Sequence, residues 1–101
     1  MDLKECLQQA INAHASDVFI IAGLPVSLRK NNIISQFTEE RLLPADTENI
    51  LADIYQYAGN RDMKRLHETG DDDFSFAIKG ISRFRVSAYK QRGSLSAVIR
   101  I

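Results

Sequence analysis

Three stretches of alternating apolar and polar residues in the last third of the chain constrain the fold more than any other feature. Phe74, Phe76 and Ile78 alternate with Asp73, Ser75 and Ala77. Lys79-Gly80 marks a turn, after which Phe84, Val86 and Ala88 alternate with Arg83, Arg85, Ser87 and Tyr89. Gln91-Arg92-Gly93 marks another, and then Leu95, Ala97 and Ile99 alternate with Ser96, Val98 and Arg100. Side chains of a strand point to opposite faces in turn, so each stretch reads as a strand with one buried face. Such strands joined by short turns make an antiparallel meander, which needs a second layer over its apolar side.

The rest of the chain supplies that layer. Leu3, Leu7, Ala10, Ile11 and His14 recur at helical spacing and predict a helix from Leu3 to His14, with Asp2 and Glu5 at capping-box spacing. Val18 to Ile21 is a short β-branched and aromatic run between a polar flank and Ala22-Gly23, which predicts a buried strand. Val26 to Arg29 and Ile33 to Phe37 read as two further strands. Lys30-Asn31-Asn32 forms a tight turn between them, because Asn tolerates positive φ. Pro44, Asp46 and Thr47 open a second helix with the stripe Ile50, Leu51, Ile54, Tyr55 and Ala58, and Gly59 follows its end. Asn60 is placed to cap a third helix carrying Met63 and Leu66 and ended by Gly70. The expectation is an α+β fold in the order α-β-β-β-α-α-β-β-β, an antiparallel sheet with helices packed on one face.

Composition sets the outer bounds. A chain of 101 residues with 45% hydrophobic and 26% charged residues makes one domain with a core of its own. It is unlike collagen, coiled coils or disordered chains. No apolar run approaches the ~20 residues of a membrane helix, and no secretory leader is visible at the N-terminus. The single cysteine, Cys6, excludes an internal disulfide and a cysteine-built zinc cluster. A cytoplasmic domain is the expectation. The chain stops in mid-strand pattern at Ile101, as a piece cut from something longer would.

The net charge of zero is a sum of unlike parts. Residues 38–77 hold ten acids and four bases, whereas residues 78–101 hold six bases (Lys79, Arg83, Arg85, Lys90, Arg92, Arg100) and no acid. One edge of the domain is therefore suited to attract anions. Pairing buried with buried residues in the last hairpin sets Phe84 opposite Ile99, Val86 opposite Ala97 and Ala88 opposite Leu95. That register sets Arg83 opposite Arg100. Two arginines across a ladder repel, and two readings of them stay open. An anion could sit on that face, since the planar forks of Arg suit phosphate or carboxylate. Alternatively, the side chains splay into water or pair with acids of a neighbour.

Other chemistry is sparse. There is no G-x-x-x-x-G-K-[ST] phosphate loop and no G-x-G-x-x-G. His14 and His67 lack companion ligands at metal-binding spacing. Cys6 reads as a small packed hydrophobe, and Asp71-Asp72-Asp73 as a solvated turn rather than a cation loop. Arg83-Phe84-Arg85 has the interleaving of a nucleic-acid binder, but parity sends Phe84 to the opposite face from the arginines.

Two ordered blocks carry a resemblance. Ala15-Ser16-Asp17, the apolar run, Ala22-Gly23-Leu24-Pro25, Arg29 and the Asn31-Asn32 turn form the first. Gly70-Asp71, Asp73-Phe74-Ser75-Phe76, Gly80, Arg83-Phe84-Arg85-Val86, Gln91-Arg92-Gly93 and Val98-Ile99-Arg100-Ile101 form the second. Together they resemble the N-terminal region of the type IV pilus twitching-motility ATPases, retraction motors of the secretion-ATPase superfamily. The match covers nearly the whole chain. Phe19 stands where a His is usual in that family, and Asn31-Asn32 replaces the common Asp-Gly.

The resemblance implies a PAS-like N-terminal domain spanning residues 1–101 of a hexameric motor, whose RecA-like motor domain is not in this sequence. It implies that the fragment is no enzyme by itself and holds no cofactor, while the parent protein uses ATP and Mg. The partners implied are its own motor domain, the neighbouring subunit of a homohexamer and the inner-membrane pilus machinery, with neither nucleic acid nor membrane insertion. Arg83, Arg85 and Arg100, with Arg92 at the hairpin tip, are then expected to reach the nucleotide phosphates. Two alternatives remain. One is the small domain of a pilus-assembly or type II secretion ATPase; retraction is favoured because the match begins at residue 1. The other is a free-standing PAS-like sensor with a ligand cavity between sheet and helices.

Overall fold

The alternating stretches are strands in the computed structural model, which describes residues 1–101. The elements are α1 (Leu3–Asn12), β1 (Asp17–Ile20), β2 (Ser27–Lys30), β3 (Ile33–Gln36), α2 (Pro44–Tyr57), α3 (Lys64–Thr69), β4 (Asp71–Ile78), β5 (Ser82–Gln91) and β6 (Ser94–Arg100). The expected order of helices and strands holds throughout. All six strands form one antiparallel sheet in the order β3-β2-β1-β6-β5-β4. The first hairpin and the C-terminal meander therefore meet where β1 pairs with β6.

The helices cover one face of this sheet. Leu7, Val18, Ile20, Leu51, Ile54, Leu66, Phe84 and Ile99 lie within a continuous core of 23 buried residues. At about 1.5–3 kcal/mol per large buried side chain, this is the main source of stability. The two larger recesses are clefts open to solvent, one lined by β4, β5 and β6 and one between residues 38–42 and α2.

Local chemistry explains the element ends. The Asp2 carboxylate accepts from Lys4 N at 3.0 Å and caps α1. Glu5 does not complete the box; it accepts from Gln9 Nε2 instead. The helix stops at Asn12, two residues earlier than expected, because His14 turns to φ 62°. Asn31 and Asn32, at φ 52° and 65°, make the expected tight turn between β2 and β3. At the start of α2 the Asp46 carboxylate accepts from Leu43 N at 2.7 Å.

Asn60 does not cap α3: at φ 57° it continues the turn begun by Gly59, and Asp62 Oδ1 accepts from Lys64 N at 2.8 Å. The β5–β6 register differs by two residues from the predicted one. Observed pairs are Arg85↔Arg100, Val86↔Ile99 and Ala88↔Ala97. The two-residue turn is Arg92-Gly93, with φ 52° and 79°. A turn with two positive φ angles takes glycine readily at its second position, which centres the hairpin one residue later than expected. A slip of two preserves parity, so the buried and exposed sets are unchanged while the opposed arginines become Arg85 and Arg100.

Candidate functional site

The helix-free face of the sheet carries a row of charged side chains at one level. The cross-strand partners run Ile34, Arg29, Asp17, Arg100, Arg85 and Ser75, from β3 to β4. Residues paired across a ladder point to the same face, so three arginines and one aspartate share it. Arg83 lies two residues further along β5, paired with Ala77 of β4. A groove of about 600 Å³ on this face is lined by Asp17, Ser75, Arg83, Arg85, Ser87 and Arg100 among others.

Asp17 is the fixed point of the row. It is buried, and its Oδ2 accepts from the Ser16 hydroxyl at 2.8 Å. Oδ2 lies 4.0 Å from Arg29 Nε on one side, and Oδ1 lies 3.8 Å from Arg100 Nε on the other. Both separations exceed hydrogen-bond length, so these are loose ion pairs. Arg29 also lies over the Phe19 ring, 5.4 Å from its centroid. Arg83 and Arg85 are exposed and make no ion pair. The row thus holds two positive charges in excess, with Arg83 adding a third.

Three of the four arginines singled out from sequence therefore converge on one face. The fourth, Arg92, occupies the hairpin tip, seven residues along β5 from Arg85 and some 23 Å away at strand rise. Arg29 and Asp17 were missed as site members. Their parity and the central place of β1 would have exposed them, had the first hairpin been paired with the last.

A second polar cluster lies on the helix side. Asp72 is not part of a solvated turn: it belongs to β4, shares the parity of Phe74 and Phe76, and is 1% exposed. Its carboxylate accepts from the Tyr55 hydroxyl at 2.8 Å and from Arg61 Nε and Nη2 at 2.9 and 2.8 Å. Arg65 Nε lies 3.7 Å away. The Arg61 hydrogen bonds hold the Asp72 carboxyl below its ordinary pKa, against the opposing effect of burial. Burial and the Asp72 contact push the Tyr55 hydroxyl well up. All these groups are satisfied, and they tie α2, the loop after it and α3 to edge strand β4. Cys6 is buried in α1, as expected, and burial raises its thiol to about 11.

No protein-family model matches the chain. Two characterised proteins of Pseudomonas aeruginosa do. The chain is 32% identical to the type IV pilus ATPase PilU and 33% identical to the type IV pilus retraction ATPase PilT, in each case over 99% of its own length. It spans only 25% and 28% of those relatives. Among solved structures, the ADP-bound pilus retraction motor PilT superposes with a TM-score of 0.87 at 32% identity, over all of this chain and 29% of that one. The Legionella pneumophila ATPase DotB shares the fold, with a TM-score of 0.77 at 22% identity over 97% of this chain and 27% of that one. The chain is homologous to the N-terminal region of the type IV pilus ATPases PilT and PilU.

Proposed function

We propose that this homologue of the PilT and PilU N-terminal region is the regulatory and interface domain of a hexameric pilus-retraction ATPase. In this reading a RecA-like motor domain continues the polypeptide and supplies the phosphate loop, Mg²⁺ and the catalytic base in the cytoplasm. The present domain supplies charge. Its helix-free sheet face closes over the nucleotide cleft and packs on the neighbouring subunit, next to the inner-membrane pilus machinery.

The observation that carries the reading is the pair Arg85 and Arg100, opposed across β5 and β6 on a face no helix covers. Like charges directly opposite cost up to about 1 kcal/mol. A phosphate group between them reverses that sign, and planar guanidinium forks bind its oxygens two at a time. Arg83 adds a further charge at the groove. In a closed cleft these groups stabilise negative charge that develops on the phosphates during transfer. A rigid-body shift of the domain would then follow whether the phosphates are present.

The test is ATP turnover by the protein in which this domain is joined to its motor. Arg85→Ala and Arg100→Ala are expected to lower turnover at least tenfold, equivalent to about 1.4 kcal/mol of transition-state stabilisation. Arg92→Ala, at the remote hairpin tip, leaves it unchanged. Unaltered turnover in both of the first two variants would refute the assignment.

A further inference from the structure

We propose that Asp17 is a built-in counter-ion of the arginine row and competes with the incoming anion for Arg100, so that the site admits only multiply charged phosphates. The inference rests on the reading of this face as an anion site. Arg100 has two neighbours across the ladder, Asp17 on β1 and Arg85 on β5. With the site empty, attraction by Asp17 and repulsion by Arg85 act in the same direction, drawing the guanidinium toward β1. An anion seated between Arg85 and Arg100 pulls it the other way.

The geometry fits a competitor rather than a clamp. The Asp17 carboxylate is buried and held by the Ser16 hydroxyl at 2.8 Å, so it cannot follow Arg100 outward. Its separation from Arg100 Nε is 3.8 Å, and the Arg100 side chain is 74% exposed. The guanidinium is therefore held by charge alone and is free to leave. A singly charged anion offers Arg100 no more than the carboxylate already does. A pyrophosphate or nucleotide phosphate group carries two or more charges and also neutralises Arg85, so it wins the exchange.

The experiment titrates this chain with inorganic pyrophosphate at ionic strength held constant with sodium chloride. The side-chain Nε–Hε resonances of Arg85 and Arg100 report binding. Asp17→Asn is isosteric and keeps an acceptor for Ser16. It is expected to bind pyrophosphate roughly two- to fivefold tighter than the unaltered chain, the range of a loose ion pair whose arginine is open to solvent. Adding Arg85→Gln to that variant should abolish the gain. Equal or weaker binding by Asp17→Asn, or a gain that survives Arg85→Gln, overturns the role of Asp17. Absence of any saturable response in the unaltered chain and in Asp17→Asn alike would instead overturn the anion-site reading, and this inference with it. Should Asp17→Asn not fold, the unaltered chain still decides. Saturation with pyrophosphate has to move the Asp17 carboxyl ¹³C resonance as Arg100 leaves, and an unmoved resonance counts against the competition.

Discussion

A single carboxylate, Asp72, shows how much one residue can hold in this fold. It is 1% exposed, and two hydrogen bonds from Arg61 and one from Tyr55 keep it ionised. Its folded pKa lies below the ordinary 3.8. The stabilisation is thus fully present above that value and is lost as pH falls through the lower, folded value. Removing a partner from a buried ion pair costs about 3–5 kcal/mol. Here the Arg61 side chain is 38% exposed and Arg65 remains nearby, so solvent and the second cation soften the loss. Arg61→Ala is expected to cost about 2–3 kcal/mol in urea unfolding at neutral pH. The cost should shrink as pH falls through the carboxylate range, because an unpaired buried Asp72 takes up a proton. A penalty that stays constant with pH would assign the effect to the Arg61–Phe74 stacking at 4.8 Å instead. Asp72 reads from sequence as part of a solvated turn, although it shares the parity of Phe74 and Phe76, and its partners Tyr55 and Arg61 are hidden because they come from α2 and the loop after it. The Cys6 thiol, raised to about 11, follows from an apolar position on α1 that the sequence displays directly. It is expected to resist alkylation in the folded chain and to react at once in denaturant.

Among the elements, the β5–β6 hairpin separates what periodicity can and cannot determine. Alternation assigns Phe84, Val86, Ala88, Leu95, Ala97 and Ile99 to the core, and all six are buried. It cannot distinguish registers two residues apart, since both bury the same side chains. The turn decides, and it places Arg92 in the left-handed region at φ 52° ahead of Gly93. An ordinary side chain there costs roughly 1–2 kcal/mol, and Asn costs less. Arg92→Asn should therefore raise stability by about 0.5–1 kcal/mol, read as a few degrees in Tm, with pyrophosphate binding unchanged. Weaker anion binding in that variant would return Arg92 to the site. Gly93→Ala meets no neighbouring atom within 4 Å, so its expected loss of about 1 kcal/mol is purely a backbone cost. The start of α3 was hidden for a related reason. Gly59 and Asn60 both take positive φ, which spends Asn60 on the turn and leaves capping to Asp62.

At the scale of the whole molecule, the sheet has one face sealed by three helices and one face left to solvent. The basic excess of residues 78–101 anticipates that the open face is cationic. It does not anticipate Asp17 and Arg29, which come from a segment of balanced charge and join the row only through the β1–β6 pairing. Ile34, 55% exposed, flanks the arginines on the same face, and Phe19 and Val98 lie two residue pairs along the β1–β6 ladder on that face. Arginine beside apolar and aromatic groups is the composition of surfaces that another protein covers. The relatives are about four times longer than this chain, so they contain material enough to cover it. Arginine-selective modification with phenylglyoxal distinguishes an open face from a covered one. In this chain Arg85 and Arg100 should react as fast as Arg92, since all three are exposed. On the proposed function, in a protein that joins this domain to a motor domain with nucleotide bound, Arg85 and Arg100 should be protected while Arg92 still reacts. Protection of Arg92 together with the other two would mean that the hairpin tip is covered as well. Undiminished reaction at Arg85 and Arg100 would mean that the sheet face stays open in the motor, and its charges would then need a different partner.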